Sequence, residues 1–330
     1  MSNVIVDIYR GTLVESSHRA IILVKDSFNN CLISTNNESS LIYPRSAIKI
    51  FQALPFIISK AHELYNLNEK NIAISCSSHI GEPMHLKVLL SWIEKINIAE
   101  QQLKCGIHNP IDQQSSNNLF LSGKKPNQLH NNCSGKHLAM ISGCLSKKME
   151  INNYINFNHP YQKLIRDSLE TFMETKIKKN CIGIDGCNVP QYAFPLENIV
   201  KSMVNLSKIY ELSNEYSEAV KIIIKSINAH PLLIGGTKRF DSTVIKSTKG
   251  KIFCKGGAEG VLLFSDFSKK IGGVIKIIDG NYRAVAPIAL QVFLKLNLLN
   301  ENEKKNIKFC INNKIYNHAK KEVGKIFAKL

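Results

Sequence analysis

Ser46 and Lys49, in the run Arg45-Ser-Ala-Ile-Lys49, stand three residues apart near the start of an apolar stretch. On a helix that spacing brings both side chains to one face. There a desolvated, neutral lysine could take the hydroxyl proton and turn the serine into a nucleophile. Spacing alone carries little, because Ser and Lys are both abundant and Ser122-Gly-Lys-Lys125 repeats the pattern. Context separates the two: Ser46 precedes a long apolar segment able to hold it rigidly, whereas Ser122 lies in a Pro- and Asn-rich stretch. A helix N-cap serine beside a solvated lysine fits the same residues.

Three other clusters could do chemistry. Ser77-Ser78-His79 follows a short apolar run, and a loop after a rigid element is a common place for reacting groups; a turn held by serine hydroxyls is the plainer reading. Lys255-Gly-Gly-Ala-Glu-Gly260 has glycines that let the backbone approach another group closely, or that simply make a turn beside an exposed lysine. It has no G-x-G-x-x-G and no following helix, so it is not a dinucleotide loop. Cys133-Ser-Gly-Lys136 lacks the glycine and the Ser/Thr of a phosphate loop, since His130 and His137 stand in those places. Cys133 at a helix start is poised to be a thiolate, and Cys187, in Gly183-Ile-Asp-Gly-Cys187, is a second thiol. Two thiols from separate segments could hold Zn²⁺; each is equally a small buried apolar residue.

The elements that must position these groups read as follows. Val4–Ile8 is a short strand, and Ala20–Val24 with Cys31–Ser34 a hairpin. Pro44 opens a helix from Arg45 to about Leu64, and Asn71–Cys76 is β-like before a helix near Met84–Ile96. Residues 103–133 form a long irregular stretch, the kind that is either functional or disordered. Helices are expected near Tyr161–Lys176, Glu215–Ala229 and Arg283–Leu299, with a strand at Cys181–Asp185. Lys251–Cys254, Gly260–Phe264 and Gly273–Ile278 are strands whose short connections require an antiparallel meander. A Lys-rich tail closes the chain. The fold class is α/β of the α+β type, helices packed against an antiparallel sheet, and with no composition break residues 1–330 read as one domain.

Composition narrows the function classes. The 330 residues carry 43 Lys+Arg against 26 Asp+Glu, a net charge of +17, which raises nucleic acid or an anionic membrane as partner. Of the 43, 37 are Lys and six Arg, while specific phosphate and base readout favours the planar guanidinium. Lys, Asn and Ile are all abundant along the whole chain, so the charge reads as compositional drift, with neither nucleic acid nor membrane as partner. No apolar run approaches the ~20 residues that span a bilayer. The opening MSNVIVDIYRG lacks the basic and apolar regions of a secretory signal, and nine cysteines without one read as reduced thiols. The expected location is cytoplasmic.

Six stretches taken together resemble one family. They are Val14-Glu15-Ser16-Ser17-His18-Arg19, Tyr43-Pro-Arg-Ser-Ala-Ile-Lys49, Ser77-Ser-His-Ile-Gly-Glu-Pro83, His130-Asn-Asn-Cys-Ser-Gly-Lys-His137, Gly183-Ile-Asp-Gly-Cys187 and Lys255-Gly-Gly-Ala-Glu-Gly260. In order and content they resemble the rhizobial-type L-asparaginases, the inducible, thermolabile class, similar in fold to serine β-lactamases and glutaminases and usually homodimeric. Ala20 departs from the glycine that often follows the family's His-Arg. The resemblance implies two Ser–Lys tandems, Ser46 with Lys49 and Ser78 with Lys255. It implies Arg45, His79, His137 and Asp185 around the substrate. It also implies a zinc site of Cys133, Lys136 and Cys187 with water as fourth ligand, where Lys136 must bind as the free amine.

The expected reaction is hydrolysis of the side-chain amide of L-asparagine to L-aspartate and ammonia through an acyl-enzyme. Ser46 attacks, Lys49 acts as neutral base, and Ser78, oriented by Lys255, relays the proton. Two neighbouring lysines lower each other's proton affinity, which would supply the neutral amine. Zinc beside the pocket would position substrate. A related Ser–Lys amidohydrolase acting on glutamine or another small amide differs in which amide releases ammonia. A basic, zinc-stabilised nucleic-acid-binding protein differs in binding that weakens steeply with salt.

Overall fold

The computed structural model describes residues 4–311 and 313–330, so that Met1–Asn3 of the opening stretch lie outside them. The chain divides into two units. One comprises Met1–Ala47, Phe194–Lys208 and Lys238–Leu330; the other comprises Ile48–Ala193 and Ile209–Thr237.

The first unit is built on an antiparallel sheet, as the short connections require. Its strands run in the order Lys314–Tyr316, Glu322–Lys329, Val4–Arg10, Leu13–Asp26, Ile271–Ile277, Val261–Asp266 and Ile252–Gly257, with Cys31–Ser34 pairing the far end of Leu13–Asp26. The last three form the expected meander, in register Gly273↔Phe264 and Cys254↔Phe264. Their residues are almost all buried, a pattern that needs cover on both faces. Adjacent residues of one strand show the two covers, because successive side chains point to opposite faces. Ser265 Oγ donates to Met203 O, 2.7 Å, in helix Leu196–Ser207. Phe264 meets Phe293 of helix Val285–Lys295 edge-on, ring centroids 5.0 Å apart.

The Lys-rich tail, for which the sequence indicated no element, supplies helix Glu301–Cys310 and two strands of this sheet. The charges hid them: Glu322–Lys329 turns alternate residues outward, and its apolar partners are few, among them Ala328 at 7% exposure. Pairing Ile5↔Lys329 to Arg10↔Gly324 fixes it in place.

The second unit is helical, and here three sequence expectations fail. The helix expected from Arg45 to about Leu64 is four short pieces, Arg45–Ile48, Lys49–Gln52, Leu54–Ile58 and Ala61–Leu64. Pro55 has no N–H to continue the ladder, and Lys60 at φ 54° ends the third piece. Asn71–Cys76 is not a strand: helix Glu69–Ser75 occupies it, started by a capping box between Asn68 and Asn71. Its burial along Asn71–Ser75 erases the amphipathic period that marks a helix. Residues 103–133 contain helix Gln113–Leu121, capped by Asp112 and with no residue buried. Asp185 to Cys187 sit on the turn of a hairpin between Ile182–Ile184 and Pro190–Tyr192, close to expectation. No helix among the described residues is long and apolar enough to cross a membrane. Every cysteine whose side chain is described is a free thiol.

Phe293 is fully buried against Phe264 and Phe240, so Phe293→Ala should cost about 3–5 kcal/mol. A urea midpoint lowered at unchanged slope is the expected reading, and an unmoved midpoint would contradict the packing.

Candidate functional site

In the helical unit the centre of the constellation is Lys49. Its side chain is wholly buried, so the solvated-lysine alternative fails. Nζ lies within hydrogen-bonding distance of Ser77 O, of Ser78 Oγ at 3.1 Å and of Cys133 Sγ at 3.2 Å. The lysine of the first expected tandem is thus bonded to the serine of the second, a link that chain spacing did not suggest. The loop carrying Ser78 is pinned from behind by Ser78 N–H to Ile234 O, 2.9 Å, and Ile80 N–H to Gly235 O, 3.0 Å.

The Asn-Asn-Cys-Ser-Gly-Lys-His run earns its glycine from packing. A Cβ on Gly135 would run into the carbonyl oxygen of Ile74, so helix Ser134–Ser146 lies directly on the end of helix Glu69–Ser75. That contact sets Cys133 beside the Ser77–Ser78 corner. Asn131 Oδ1 accepts the Cys133 N–H at 2.9 Å and holds the turn that feeds the helix.

Cys133, Lys136 and Cys187 do come together. Lys136 Nζ lies 3.1 Å from Cys187 Sγ, and the Cys133 thiol donates to Cys187. The three groups differ in how they hold their protons. Cys187 was expected as a thiolate together with Cys133, which its helix start favoured. The hydrogen bond of Cys133 to Cys187 and its burial instead push Cys133 up to about 12, while accepting that bond and facing Lys136 hold Cys187 far below the usual thiol range. Burial disfavours a charged Lys136, but the facing Cys187, Cys133 and Asp185 outweigh it and strengthen its hold on its proton. A free amine at Lys136 therefore requires a metal ion to displace that proton. Two sulfurs and an amine clustered in a buried place form a borderline-soft donor set that fits Zn²⁺. Among the described residues no group of three or more His, Cys, Asp or Glu forms a ligand set, so this one depends on the lysine.

Asp185 is anchored beside them. Its Oδ1 accepts Gly186 N–H at 2.8 Å and its Oδ2 accepts Gln191 Nε2 at 3.4 Å. His79 Nε2 donates to Ser134 Oγ, 2.9 Å, because that hydroxyl itself donates to Leu129 O. His79 stacks on His85 with ring centroids 5.1 Å apart, and its Nδ1 has no hydrogen-bond partner. Tyr154 OH accepts Lys104 N–H at 2.9 Å and so donates to His137 Nδ1 at 2.6 Å, leaving Nε2–H of His137 without a partner. Both histidines are neutral: burial lowers His79 strongly, and burial with the nearby Lys136 charge takes His137 down to about 3. Ser134, Tyr154 and Gln191 were not found from sequence; none repeats a spacing that would have marked it.

In the sheet unit Ser46 is half-buried on the turn Arg45–Ile48, not on a long helix. Arg45 before it holds φ at 53°, a left-handed conformation costly for a bulky residue. The glycines after Lys255 serve close approach, as expected. A Cβ on Gly257 would meet Pro44 O and Ala47 N, so the Ser46 turn sits against the end of strand Ile252–Gly257. Lys255 is fully buried, which removes the exposed-turn alternative. Its Nζ pairs with Asp241 Oδ2 at 3.1 Å and donates to Gly256 O at 3.2 Å.

A family model described as L-asparaginase II matches residues 6–328. Among solved structures, a putative beta-lactamase from Bacteroides dorei DSM 17855 is similar over 78% of this chain and 84% of its own, with 10% identity and a TM-score of 0.39. No curated protein matches the chain.

The buried histidines give a pH dependence of known sign. His79, His85 and His137 are neutral when folded and have lowered pKa values, so unfolding takes up protons once pH falls below the ordinary value near 6.5. Their contribution is complete above that pH and is lost on acidification, for His137 down to about 3, at up to about 1.4 kcal/mol per pH unit for each proton. Urea midpoints measured between neutral and mildly acidic pH should fall accordingly; a flat series would show that the imidazoles are not held neutral.

Proposed function

From the premise that the chain belongs to the L-asparaginase II family and is an L-asparaginase amidohydrolase, we propose that it works by Ser–Lys nucleophilic catalysis. The observation that carries the reading is the buried Lys49 amine hydrogen-bonded to Ser78 Oγ at 3.1 Å. Ser46 Oγ attacks the side-chain amide carbon of L-asparagine while Lys49, entering as the free amine, takes the hydroxyl proton. The tetrahedral intermediate collapses by breaking the C–N bond. The proton passes from Lys49 through the Ser78 hydroxyl to the departing nitrogen, which leaves as ammonia. Water, deprotonated along the same relay, then attacks the aspartyl ester, releasing L-aspartate and restoring the Ser46 hydroxyl. Lys255 completes the second tandem of this scheme.

The short relay suits a buried setting. Ser78 is fixed by its backbone bond to Ile234 O, so the hydroxyl needs only to rotate to exchange donor and acceptor roles. Arg45, His79, His137 and Asp185 bind substrate in this reading. The neutral imidazoles offer hydrogen bonds without adding charge, and Asp185 supplies an anion suited to the ammonium group of an amino acid. Cys133, Lys136 and Cys187 would hold Zn²⁺, which when bound supplies a fixed positive charge beside the pocket.

Two outcomes follow. Ser46→Ala and Ser78→Ala, each confirmed folded by circular dichroism, should lower ammonia release from L-asparagine by at least about 10²-fold. Parent rates in both variants would sink the mechanism, and equal release from glutamine would remove the preference for asparagine. Bound zinc should be lost as pH is lowered, because Cys133 and Lys136 regain protons that the metal displaces. Metal quantified after dialysis at stepped pH checks this; retention independent of pH would exclude the ligand set.

A further inference from the structure

We propose that Asp241 is a positioning residue for catalysis, the anion that fixes both the place and the charge of Lys255. The proposal rests on the Ser78–Lys255 tandem of the mechanism above and adds to it a residue that chain spacing does not reveal.

Asp241 lies in the first turn of helix Phe240–Ser247 and is fully buried, as is Lys255 on strand Ile252–Gly257. Oδ2 accepts Lys255 Nζ at 3.1 Å and Gly256 N–H at 3.3 Å, while Oδ1 accepts Ser242 N–H at 3.0 Å. One carboxylate oxygen therefore ties the lysine side chain and the next backbone amide to the same helix turn. The other groups facing it are Arg239, Tyr282 and Cys254. Arg239 stacks over the Tyr282 ring with Cζ 4.9 Å from its centroid. A Cβ on Gly256 would strike the Tyr282 hydroxyl, so that ring closes over the pair.

Burial alone would favour a neutral acid. The charges of Lys255 and Arg239, with the Gly256 N–H, reverse that and hold Asp241 below the usual carboxylate range. Tyr282 and Cys254 are both displaced upward, chiefly by burial, and so add no second anion. An ionised carboxylate in this place favours the ammonium form of the lysine it touches. Buried ion pairs seldom stabilise a fold more than an apolar pair of the same volume, so stability gives little reason for this one. Its consequence is chemical: Lys255 is held as a fixed cation, which leaves Lys49 as the amine of the two tandems that cycles its proton.

The test compares Asp241→Asn, Asp241→Glu and Lys255→Met in the full chain, by ammonia release from L-asparagine across pH, with folding followed by circular dichroism and thermal melting. Folded Asp241→Asn should lose at least about tenfold in kcat with KM nearly unchanged, and the alkaline limb of its kcat profile should move to lower pH by about one unit. Asp241→Glu, which keeps the charge, should leave that limb in place and recover part of kcat. An Asp241→Asn variant with parent kcat and an unmoved limb overturns the proposal while an inactive Lys255→Met leaves the tandem standing. A Lys255→Met variant with parent activity removes the tandem itself. Should Asp241→Asn not fold, Asp241→Glu decides: an alkaline limb left in place supports the assignment, and a limb shifted to lower pH although the charge is kept overturns it. Failure of both to fold makes the pair structural, and the proposal falls.

Discussion

A lysine amine taken out of water must find polar partners, and Lys49 finds them on three separate segments. Its Nζ reaches the Ser77 carbonyl, the Ser78 hydroxyl and the Cys133 sulfur, so the start of helix Lys49–Gln52, the corner after helix Glu69–Ser75 and the entry to helix Ser134–Ser146 are fastened to one atom. An unpaired buried amine costs several kcal/mol, which makes these three bonds mutually dependent. The Gly135–Ile74 approach and the bonds from Ser78 and Ile80 to the Ile234–Gly235 turn are the packing that keeps that geometry. Charge at this point is set by neighbours more than by formal count. Lys136 faces a thiolate and Lys255 faces a carboxylate, whereas the Ser77 and Ser78 oxygens that take Lys49 are neutral. Three lysines of one residue type thereby acquire three different electrostatic settings.

Much of the site was legible because its parts sit on short motifs whose residue types have few uses. Cys133, Lys136 and Cys187 come together as the resemblance implied, and the glycines after Lys255 do allow close approach, of Pro44 O to Gly257 and of Tyr282 to Gly256. What escaped was partnership across long chain separations. Lys49 was matched with Ser46 three residues away, while its hydrogen bond goes to Ser78. Asp241 lies in an unremarkable Arg-Phe-Asp-Ser run, and only the fold brings it to Lys255. The hydrogen bond that Cys187 receives from Cys133 likewise joins residues far apart in the chain.

For the fold, the meander and the helices with clear apolar periods were readable, since short loops leave antiparallel pairing as the only choice. Helix Glu69–Ser75 was mistaken for a strand because complete burial removes the periodic signal. The C-terminal strand was missed for the opposite reason: Glu322–Lys329 is buried at only two positions and carries Glu322, Lys325 and Lys329, and its place is determined by backbone pairing with Val4–Arg10.

That last pairing has a consequence for how the molecule is made. Ile5 and Lys329 are neighbours in the sheet, and the strands between which the meander joins come from both sides of an inserted helical unit. Contacts of such sequence separation carry a large loop-closure entropy and are slow to form. On the ribosome, Val4–Arg10 and Leu13–Asp26 emerge early and can form only a hairpin that Cys31–Ser34 extends by one short strand. One edge of that hairpin stays unpaired until Glu322–Lys329 is made. The two segments of the helical unit, 48–193 and 209–237, are made in between. The nascent chain thus carries an open β edge from the first hairpin until Glu322–Lys329 is made, a state in which chaperone binding competes directly with aggregation.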